Sequence, residues 1–354
     1  MEIAIMAPPY YEIPPKKYGA IEREIEYLII GLDKMKQSTT LVAPKASEIK
    51  NYVNLQIVSP YEYGTIESGI DKDSAIKNIL EHFENHIQNN KLDILHLYYS
   101  NELILDKLLS IPKVPPIVCT ISNVAGKKNT QLVKEYANKI NFVCVSKAHS
   151  NQFKDFGHTK FVHNCVNSDE YRIDRKQKNL IFVGMIEPNK SPITAIEISN
   201  KLNAPIALIG GASDFYPNTA YMEKFQKVVN ENPHANWKGL CSKKEIADYL
   251  ATSGTYLYTS GVEDANWQEP FGIVVVEAML SGCPILAVNN GAIEEIVTDN
   301  KGYILQNFTQ DEIIKGYNHC NNLDPTQIRN YSMQKFSIES HAMNYMEIYR
   351  ELTK

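Results

Sequence analysis

Residues 269–285 read EPFGIVVVEAMLSGCPI and carry the clearest local signal in the chain. Gly272 stands at the predicted opening of a helix, and Gly282, Cys283 and Pro284 close that helix before the next apolar run. A helix start built from small or flexible residues exposes backbone N–H groups and the positive end of the helix dipole. The segment therefore predicts a helix-to-strand unit of an α/β fold, with a place where a diphosphate is stabilised without an arginine.

Short apolar runs alternate with segments of helical periodicity on both sides of this stretch. They fall at residues 3–7, 40–43, 55–58, 94–97, 117–121 and 142–145, and again at 180–183, 206–209, 256–258, 285–288 and 303–305. This alternation predicts two α/β domains, each with a parallel sheet and helices on both faces. The polar stretch 167–178 is typical of an interdomain linker, and 336–352 has the periodicity of an amphipathic closing helix.

The length of 354 residues also suits two domains. We predict an N-terminal domain at 1–168, completed by a C-terminal helix at 336–354 that crosses back to it, and a C-terminal domain at 169–335. Ligands of doubly wound sheets bind outside the carboxyl ends of the strands. Two such Rossmann-like domains facing each other would therefore form one cleft.

Composition and charge exclude several classes of protein. The formal net charge is −5 and no long Lys/Arg block occurs, which argues against nucleic-acid binding. No apolar stretch approaches the roughly 20 residues that span a bilayer, and the N-terminus lacks the basic start of a signal peptide, so a cytoplasmic location is expected. The six cysteines form no C-x-x-C pair and are predicted to be reduced core residues, with no metal site.

Two glutamates frame the predicted helix start. Glu269 lies just before it and Glu277 about two turns later, so the two carboxylates can reach different hydroxyl groups of one extended ligand. The alternative is that both are ordinary helix charges. That alternative is weakened because Glu277 lies in the apolar run 273–278, where an ionised side chain is rare unless it has a partner or a function.

At this point the sequence resembles the family-4 retaining glycosyltransferases, which have the GT-B fold. Glu269 and Glu277 match the family's Glu-x7-Glu signature, and Gly282 with Pro284 matches the Gly-x-Pro that follows it. Further matches occur in the family's order along nearly the whole chain: APP at 7–9, GAIER at 19–23, VHNCVN at 162–167, FVG at 182–184, EPNK at 187–190 and GAIEEIV at 291–297.

The resemblance implies transfer of a sugar from a nucleoside diphosphate, with retention of configuration and without a metal or other cofactor. Carried over to this sequence, Glu269 would bind the sugar hydroxyls, Glu277 the ribose, and Lys190 would neutralise the leaving diphosphate. Backbone groups would touch the phosphates at Gly19, Gly184, Phe271, Gly272 and Ile273. The acceptor, a carbohydrate or a lipid-linked molecule, would lie against the N-terminal domain.

Two positions depart from the family pattern. Met185 follows Gly184 where the family has an arginine, and a thioether cannot replace a guanidinium. Ser122 stands where the family has a histidine, so Ser122 or Asn123 is the candidate contact to the donor sugar. Lys127 and Lys128 could restore the missing charge, although a solvated loop is the simpler interpretation. His96 ends a predicted strand and is a candidate substrate contact, with a structural role as the alternative.

Other assignments stay open at this stage. Gly210 and Gly211 form a tight turn that would also let a nucleoside approach closely. UDP and GDP donors are not distinguished. A degenerate family member that binds nucleotide or glycan without turnover, or a GT-B nucleotide-sugar epimerase, is the alternative function. Lys16 and Lys17 beside the apolar stripe of Ile21 and Ile25 leave a weak peripheral membrane contact open, although a core-facing stripe is simpler.

Overall fold

The computed structural model describes residues 1–16, 19–44, 47–49, 54–58, 72–212, 218–298 and 300–354, so Lys17 lies outside it. The chain forms two compact units. Unit 1 comprises residues 1–165 and 338–354, and unit 2 comprises residues 166–337. The predicted domain boundaries lie within three residues of these.

Within the described residues, unit 1 contains a seven-stranded parallel sheet in the order β3-β2-β1-β4-β5-β6-β7. Its strands are β1 (Glu2–Met6), β2 (Ser38–Val42), β3 (Leu55–Val58), β4 (Ile94–Leu97), β5 (Ile117–Ile121), β6 (Asn141–Cys144) and β7 (Thr159–Phe161). The strand order reverses between β1 and β4, which makes that junction the topological switch point of unit 1.

Helices cover both faces of this sheet. They are α1 (Ala20–Lys34), α2 (Lys72–Asn89), α3 (Glu102–Leu109), α4 (Lys127–Tyr136), α5 (Lys147–Asn151) and the C-terminal helix, which is numbered α13 (Ile338–Leu352). Alternate residues of each central strand enter different cores. Leu95 and Leu97 face the core that contains α2, α3 and α4, whereas Ile94 and Tyr98 face the core that contains α1 and α13.

Unit 2 contains a six-stranded parallel sheet in the order β10-β9-β8-β11-β12-β13, again within the described residues. Its strands are β8 (Leu180–Val183), β9 (Ile206–Ile209), β10 (Ala235–Trp237), β11 (Thr255–Tyr258), β12 (Ile285–Val288) and β13 (Gly302–Leu305). Its helices are α6 (Pro192–Leu202), α7 (Thr219–Glu231), α8 (Lys243–Thr252), α9 (Ile273–Leu280), α10 (Ile293–Ile296), α11 (Gln310–Asn321) and α12 (Pro325–Lys335). The switch point of unit 2 lies between β8 and β11.

The apolar stripe of α1 belongs to the core of unit 1. Ile25, Leu28 and Ile29 are fully buried, so this face of α1 is not available to a membrane surface. Among the described residues, no helix combines the length and the apolar character needed to cross a bilayer.

Candidate functional site

The switch point of unit 2 brings together two of the predicted catalytic residues. Lys190 lies in the segment after β8 and Glu269 in the segment after β11, and the two side chains form an ion pair. Both are largely but not fully buried, with 20% and 14% of their side-chain surfaces exposed. The Lys190 ammonium also lies 4.8 Å from the centroid of the Trp267 ring. A cation and an acid therefore meet at the edge where doubly wound sheets bind ligands.

Asn290, after β12, fixes the position of Glu269. Its side-chain amide donates to the Trp267 carbonyl at 2.8 Å and accepts from the Glu269 N–H at 2.9 Å. Gly291 adopts φ 59°, and a β-carbon there would lie 2.0 Å from the Glu269 carbonyl oxygen. No motif in the sequence singles out Asn290; its only signal is its place after an apolar run and before a glycine.

The start of α9 is open, as its sequence predicts. Gly272 is the N-cap residue at φ 96°, no side chain caps the helix, and the described residues offer no hydrogen-bond acceptor to the Gly272 and Ile273 amides. A β-carbon on Gly272 would lie 3.8 Å from Glu269 Cγ. The amides of the α9 start and the Lys190–Glu269 pair therefore belong to one site, and such amides favour an anion. The Phe271 side chain is buried and contacts Phe336 edge-on.

Glu277 is half-buried on α9, and its Oε1 accepts a hydrogen bond of 2.7 Å from the Tyr171 hydroxyl. Tyr171 is buried and lies in the stretch that the sequence predicted only as a linker. A polar partner explains how a carboxylate is tolerated in an apolar helix. The predicted contact of Glu277 with ribose stays a prediction.

A second part of this sheet edge is built around two glycines that follow neighbouring strands. Gly184 and Gly210 directly follow the neighbouring strands β8 and β9, and a β-carbon on Gly210, at φ 145°, would lie 1.8 Å from the Gly184 carbonyl oxygen. The Trp237 indole donates to the Gly210 carbonyl at 2.9 Å. Leu240 lies against Gly211 and is 78% exposed. An exposed leucine beside a glycine turn offers an apolar surface that the sequence analysis missed.

In unit 1, Gly19 adopts φ 156° immediately before α1, and a β-carbon there would lie 2.6 Å from Pro15 Cβ. Asn123, after β5, is exposed, and its backbone carbonyl contacts His149 Nε2 at 2.9 Å. Lys127 and Lys128 are exposed at the start of α4. These residues all belong to unit 1.

The predicted substrate contact of His96 is wrong. The side chain is fully buried on the face of β4 that packs against α13, with Nδ1 2.6 Å from the Tyr349 hydroxyl and Nε2 2.7 Å from Thr120 Oγ1. Burial, with the proximity of His341 as a smaller second cause, lowers the pKa of His96 to about 3. With both ring nitrogens engaged inside the core, His96 has the structural role that was its alternative.

Ser122 does not face a substrate either. Its Oγ is buried and makes no hydrogen bond within the described residues, although it lies near the carboxyl group of Glu24. Burial raises the pKa of Glu24 to about 8, and the Ser122 hydroxyl moderates that rise. The Asn164 amide nitrogen, once oriented as a donor, reaches both Glu24 oxygens at 3.2 Å. The structure therefore does not support the predicted catalytic contact of Ser122, and it shows a buried acid that the sequence analysis missed.

Comparison with known proteins finds a family match that lies within unit 2. Residues 166–328 match the family model described as "Glycosyl transferases group 1". An uncharacterized glycosyltransferase of Methanocaldococcus jannaschii is 24% identical over 350 residues, covering 94% of this chain and 91% of that protein. An uncharacterized 41.2 kDa protein in the cps region of Klebsiella pneumoniae is 25% identical over 211 residues, and the match spans about half of each chain, 54%.

Solved structures share the fold over the whole chain. AviGT4, a glycosyltransferase involved in avilamycin A biosynthesis, superposes with a TM-score of 0.74 at 18% identity, covering 99% of this chain and 98% of AviGT4. HepE of Anabaena, in a complex with UDP and glucose, gives a TM-score of 0.72 at 15% identity, covering 99% and 100%. The fold is therefore that of the GT-B glycosyltransferases, and residues 166–328, which lie in unit 2, match the glycosyltransferase group 1 model.

Proposed function

We propose that the protein is a retaining, metal-independent glycosyltransferase that moves a hexose from a UDP or GDP donor to a hydroxyl acceptor in glycan, glycolipid or glycoconjugate biosynthesis. The observation that carries this proposal is the Lys190–Glu269 pair beside the uncapped start of α9 at the switch point of unit 2. HepE, which has this fold, was crystallised with UDP and glucose. The donor would be bound by unit 2 and the acceptor by unit 1.

The chemistry follows from charge. Departure of a nucleoside diphosphate builds negative charge on its β-phosphate, and prearranged N–H donors with a cation are the largest available stabilising effect. The Gly272 and Ile273 amides and the Lys190 ammonium would supply both. Glu269 would accept hydrogen bonds from the sugar hydroxyls. The Lys190 ammonium would then leave its ion pair with Glu269 and pair with the diphosphate. In a front-face reaction the leaving phosphate oxygen accepts the proton of the acceptor.

The nucleoside would extend toward the backbone turn of β8 and β9. Glu277 would bind the ribose diol, as acidic residues do in dinucleotide enzymes. Gly210 and Gly211 carry no side chain, so a nucleoside could approach the backbone of this turn closely. The exposed Leu240 would cover one face of the base.

The test is turnover of UDP- and GDP-hexoses by the purified chain, followed by NMR of the anomeric proton, with and without EDTA. Glu269→Gln is expected to lower donor turnover at least about hundredfold, a loss typical for a group that contacts the transition state. Glu294→Gln, which changes an exposed glutamate of the same unit bonded to Asn289, is the matched control and should retain wild-type turnover. An inverted product, or activity abolished by EDTA, would contradict the proposal.

A catalytically silent nucleotide-binding protein is the second candidate, because Met185 removes a cation from this site. Calorimetry would then show UDP or GDP binding that Glu277→Gln weakens, with no turnover of any donor.

A further inference from the structure

The backbone beside Lys190 has an unfavourable conformation. Ser191, the next residue, is the N-cap of α6 and adopts φ 55° and ψ 51°, in the left-handed region that favours glycine. Ser191 is fully buried and does not cap the helix with its own side chain, because its hydroxyl donates to the Pro188 carbonyl at 2.9 Å. Other groups must therefore hold the start of α6 and the orientation of Lys190.

The missing cap is supplied by Glu263, in the segment after β11. Its Oε1 accepts from the backbone N–H of Thr194 at 3.1 Å and from the Thr194 hydroxyl at 3.2 Å. Thr194 lies in the first turn of α6, where N–H groups without a partner inside the helix favour a carboxylate. The backbone N–H of Glu263 also donates to Ser191 Oγ at 3.0 Å. Glu263 therefore binds the start of α6 through both its side chain and its backbone.

A second helix of unit 2 fixes the other oxygen of Glu263. Tyr221, in the first turn of α7, donates from its hydroxyl to Glu263 Oε2 at 2.8 Å. Tyr221 is buried, and burial raises the pKa of its hydroxyl, with the Glu263 charge as the second cause. The tyrosine therefore stays protonated near neutral pH and remains a donor. Because both of its oxygens are bonded to the protein, the Glu263 carboxylate is held toward α6.

The segment after β11 also contacts the backbone of Lys190 and of both its neighbours. The buried Thr259 hydroxyl lies within hydrogen-bond distance of two carbonyl oxygens, those of Lys190 at 3.1 Å and Ser191 at 2.9 Å. Two residues later, the Gly261 N–H donates to the Asn189 carbonyl at 2.9 Å. One segment therefore engages three consecutive carbonyl groups, and the direction of the Lys190 side chain depends on it.

We propose that Glu263 is a positioning residue for Lys190, because its carboxylate anchors the first turn of α6 and thereby fixes the backbone from which the Lys190 side chain extends. This inference rests on the proposed function and specifies what holds the cation that would neutralise the leaving diphosphate. Without the anchor, we expect Ser191 to leave the left-handed region and Lys190 to lose its contacts with Glu269 and the Trp267 ring. Glu263 would act through Lys190 and not on the substrate itself.

Lys190 offers a signal that does not depend on turnover. Its ammonium lies over the Trp267 ring, 4.8 Å from the centroid, so the ring current shifts the NMR resonances of the Lys190 ε-CH₂ group away from those of exposed lysines. These resonances are recorded in heteronuclear spectra of the full chain, isotopically labelled in its lysine side chains and free of nucleotide. Lys190→Arg assigns them, and kinetics with UDP- and GDP-hexoses are measured on the same variants.

Three substitutions at Glu263 separate the reach of the side chain from its charge. Glu263→Ala removes the anchor, so the Lys190 resonance should move to the position of exposed lysines and kcat/KM for the donor should fall about tenfold. Glu263→Asp keeps the charge but withdraws the carboxylate from Thr194, and it should resemble Glu263→Ala. Glu263→Gln keeps an oxygen within reach of Thr194 and should stay within about twofold of wild type.

Glu245→Ala is the matched control, because Glu245 also supports the start of a helix in unit 2. It belongs to the capping box of α8 and accepts from the Ser242 N–H at 2.7 Å and from the Ser242 hydroxyl at 2.6 Å. Its removal therefore weakens a helix start of the same kind elsewhere in the unit. The Lys190 resonance and the donor kinetics should both stay at their wild-type values.

The proposal is rejected if the Lys190 resonance keeps its wild-type position in Glu263→Ala, or if Glu245→Ala shifts it as far. It is also rejected if Glu263→Asp behaves as wild type while Glu263→Gln does not, since Glu263 would then act through its charge. Should Glu263→Ala not fold, the Asp and Gln variants decide. If the wild type turns over no donor, the proposed function fails, whereas the Lys190 resonance still judges the role of Glu263.

Discussion

The two units place polar residues differently on the same kind of sheet. In unit 2, Lys190, Glu269 and Asn290 lie in the segments beyond the strands, where they bond to each other and keep part of their surface exposed. In unit 1, His96 and Thr120 lie within the strands, where they are buried in the core and bond to each other.

The cause of this difference is the C-terminal helix. Tyr345 and Tyr349 of α13 pack on the β4–β5 face of unit 1, where they donate to or accept from Thr120 and His96 at 2.6–2.7 Å. In unit 1 the polar residues of the strands therefore hold a helix, whereas in unit 2 the polar residues of the loops remain available to a ligand. Position relative to the strand end, and not residue type, separates the two roles.

The largest expected effect lies at the backbone contact of unit 2. Gly210→Ala forces a β-carbon to within 1.8 Å of the Gly184 carbonyl oxygen, so we expect unit 2 to lose more than about 3 kcal/mol of stability. Urea unfolding followed by tryptophan fluorescence measures it cleanly, because both tryptophans, Trp237 and Trp267, lie in unit 2.

Gly239→Ala is the control for this substitution. Gly239 also has a positive φ, 72°, but a β-carbon there meets no atom within 4 Å, so only the backbone strain of about 1 kcal/mol remains. Equal midpoints for the two variants would show that the close approach of β8 and β9 does not matter.

The next effect concerns pH and unit 1. The pKa of Glu24 is raised to about 8 in the folded state, so the folded chain binds a proton that the unfolded chain has released above its ordinary pKa of 4.5. The stabilisation that the protonated Glu24 carboxyl group gives to the folded state is therefore fully present below about pH 4.5. It is lost as the pH rises toward 8, by about 3 kcal/mol between pH 5 and 8. Glu24→Gln should remove this part of the slope.

Hydrogen exchange of peptides that cover β4 and β5 reports on unit 1 and would measure this slope. Glu351→Gln is the control, since that glutamate is exposed on α13 and pairs with Lys160 at the surface. A wild-type pH profile that Glu24→Gln leaves unchanged would exclude the buried acid as its source.

Much of the fold could be predicted from the sequence because the buried strands are continuous apolar runs. The two strands that were missed, β7 and β10, are three residues long and form edges of their sheets. TKF and ANW contain too few apolar residues to stand out, because an edge strand has less surface to bury.

The candidate site could be predicted where a motif fixes both residue and backbone, as at Gly272 and Glu269. It could not be predicted where the decisive fact is a partner distant in sequence. His96 bonds to a tyrosine 253 residues away and Tyr171 to a glutamate 106 residues away, and neither spacing leaves a local pattern.

A smaller effect is expected at a loop residue of unit 2 that holds Glu269 in position. Asn290→Ala removes both hydrogen bonds that position Trp267 and Glu269, so we expect kcat/KM for the donor to fall about 30-fold, equivalent to about 2 kcal/mol. Asn289→Ala changes the neighbouring, exposed asparagine, which bonds only to Glu294 among the described side chains, and should keep normal kinetics. Similar losses in both variants would mean that the loop responds as a whole and that Asn290 has no special part.

The smallest effect tests the structural role of His96. Tyr349→Phe removes the hydroxyl 2.6 Å from His96 Nδ1 and leaves that nitrogen buried without its partner, which should cost unit 1 about 1 kcal/mol. Because His96 is enclosed in the core and titrates far below neutrality, the KM for donor should stay at the wild-type value at pH 7. Hydrogen exchange across β4 and initial-rate kinetics separate the two quantities. A raised KM with unchanged exchange would restore His96 as a substrate contact and remove the contrast between the strands of unit 1 and the loops of unit 2.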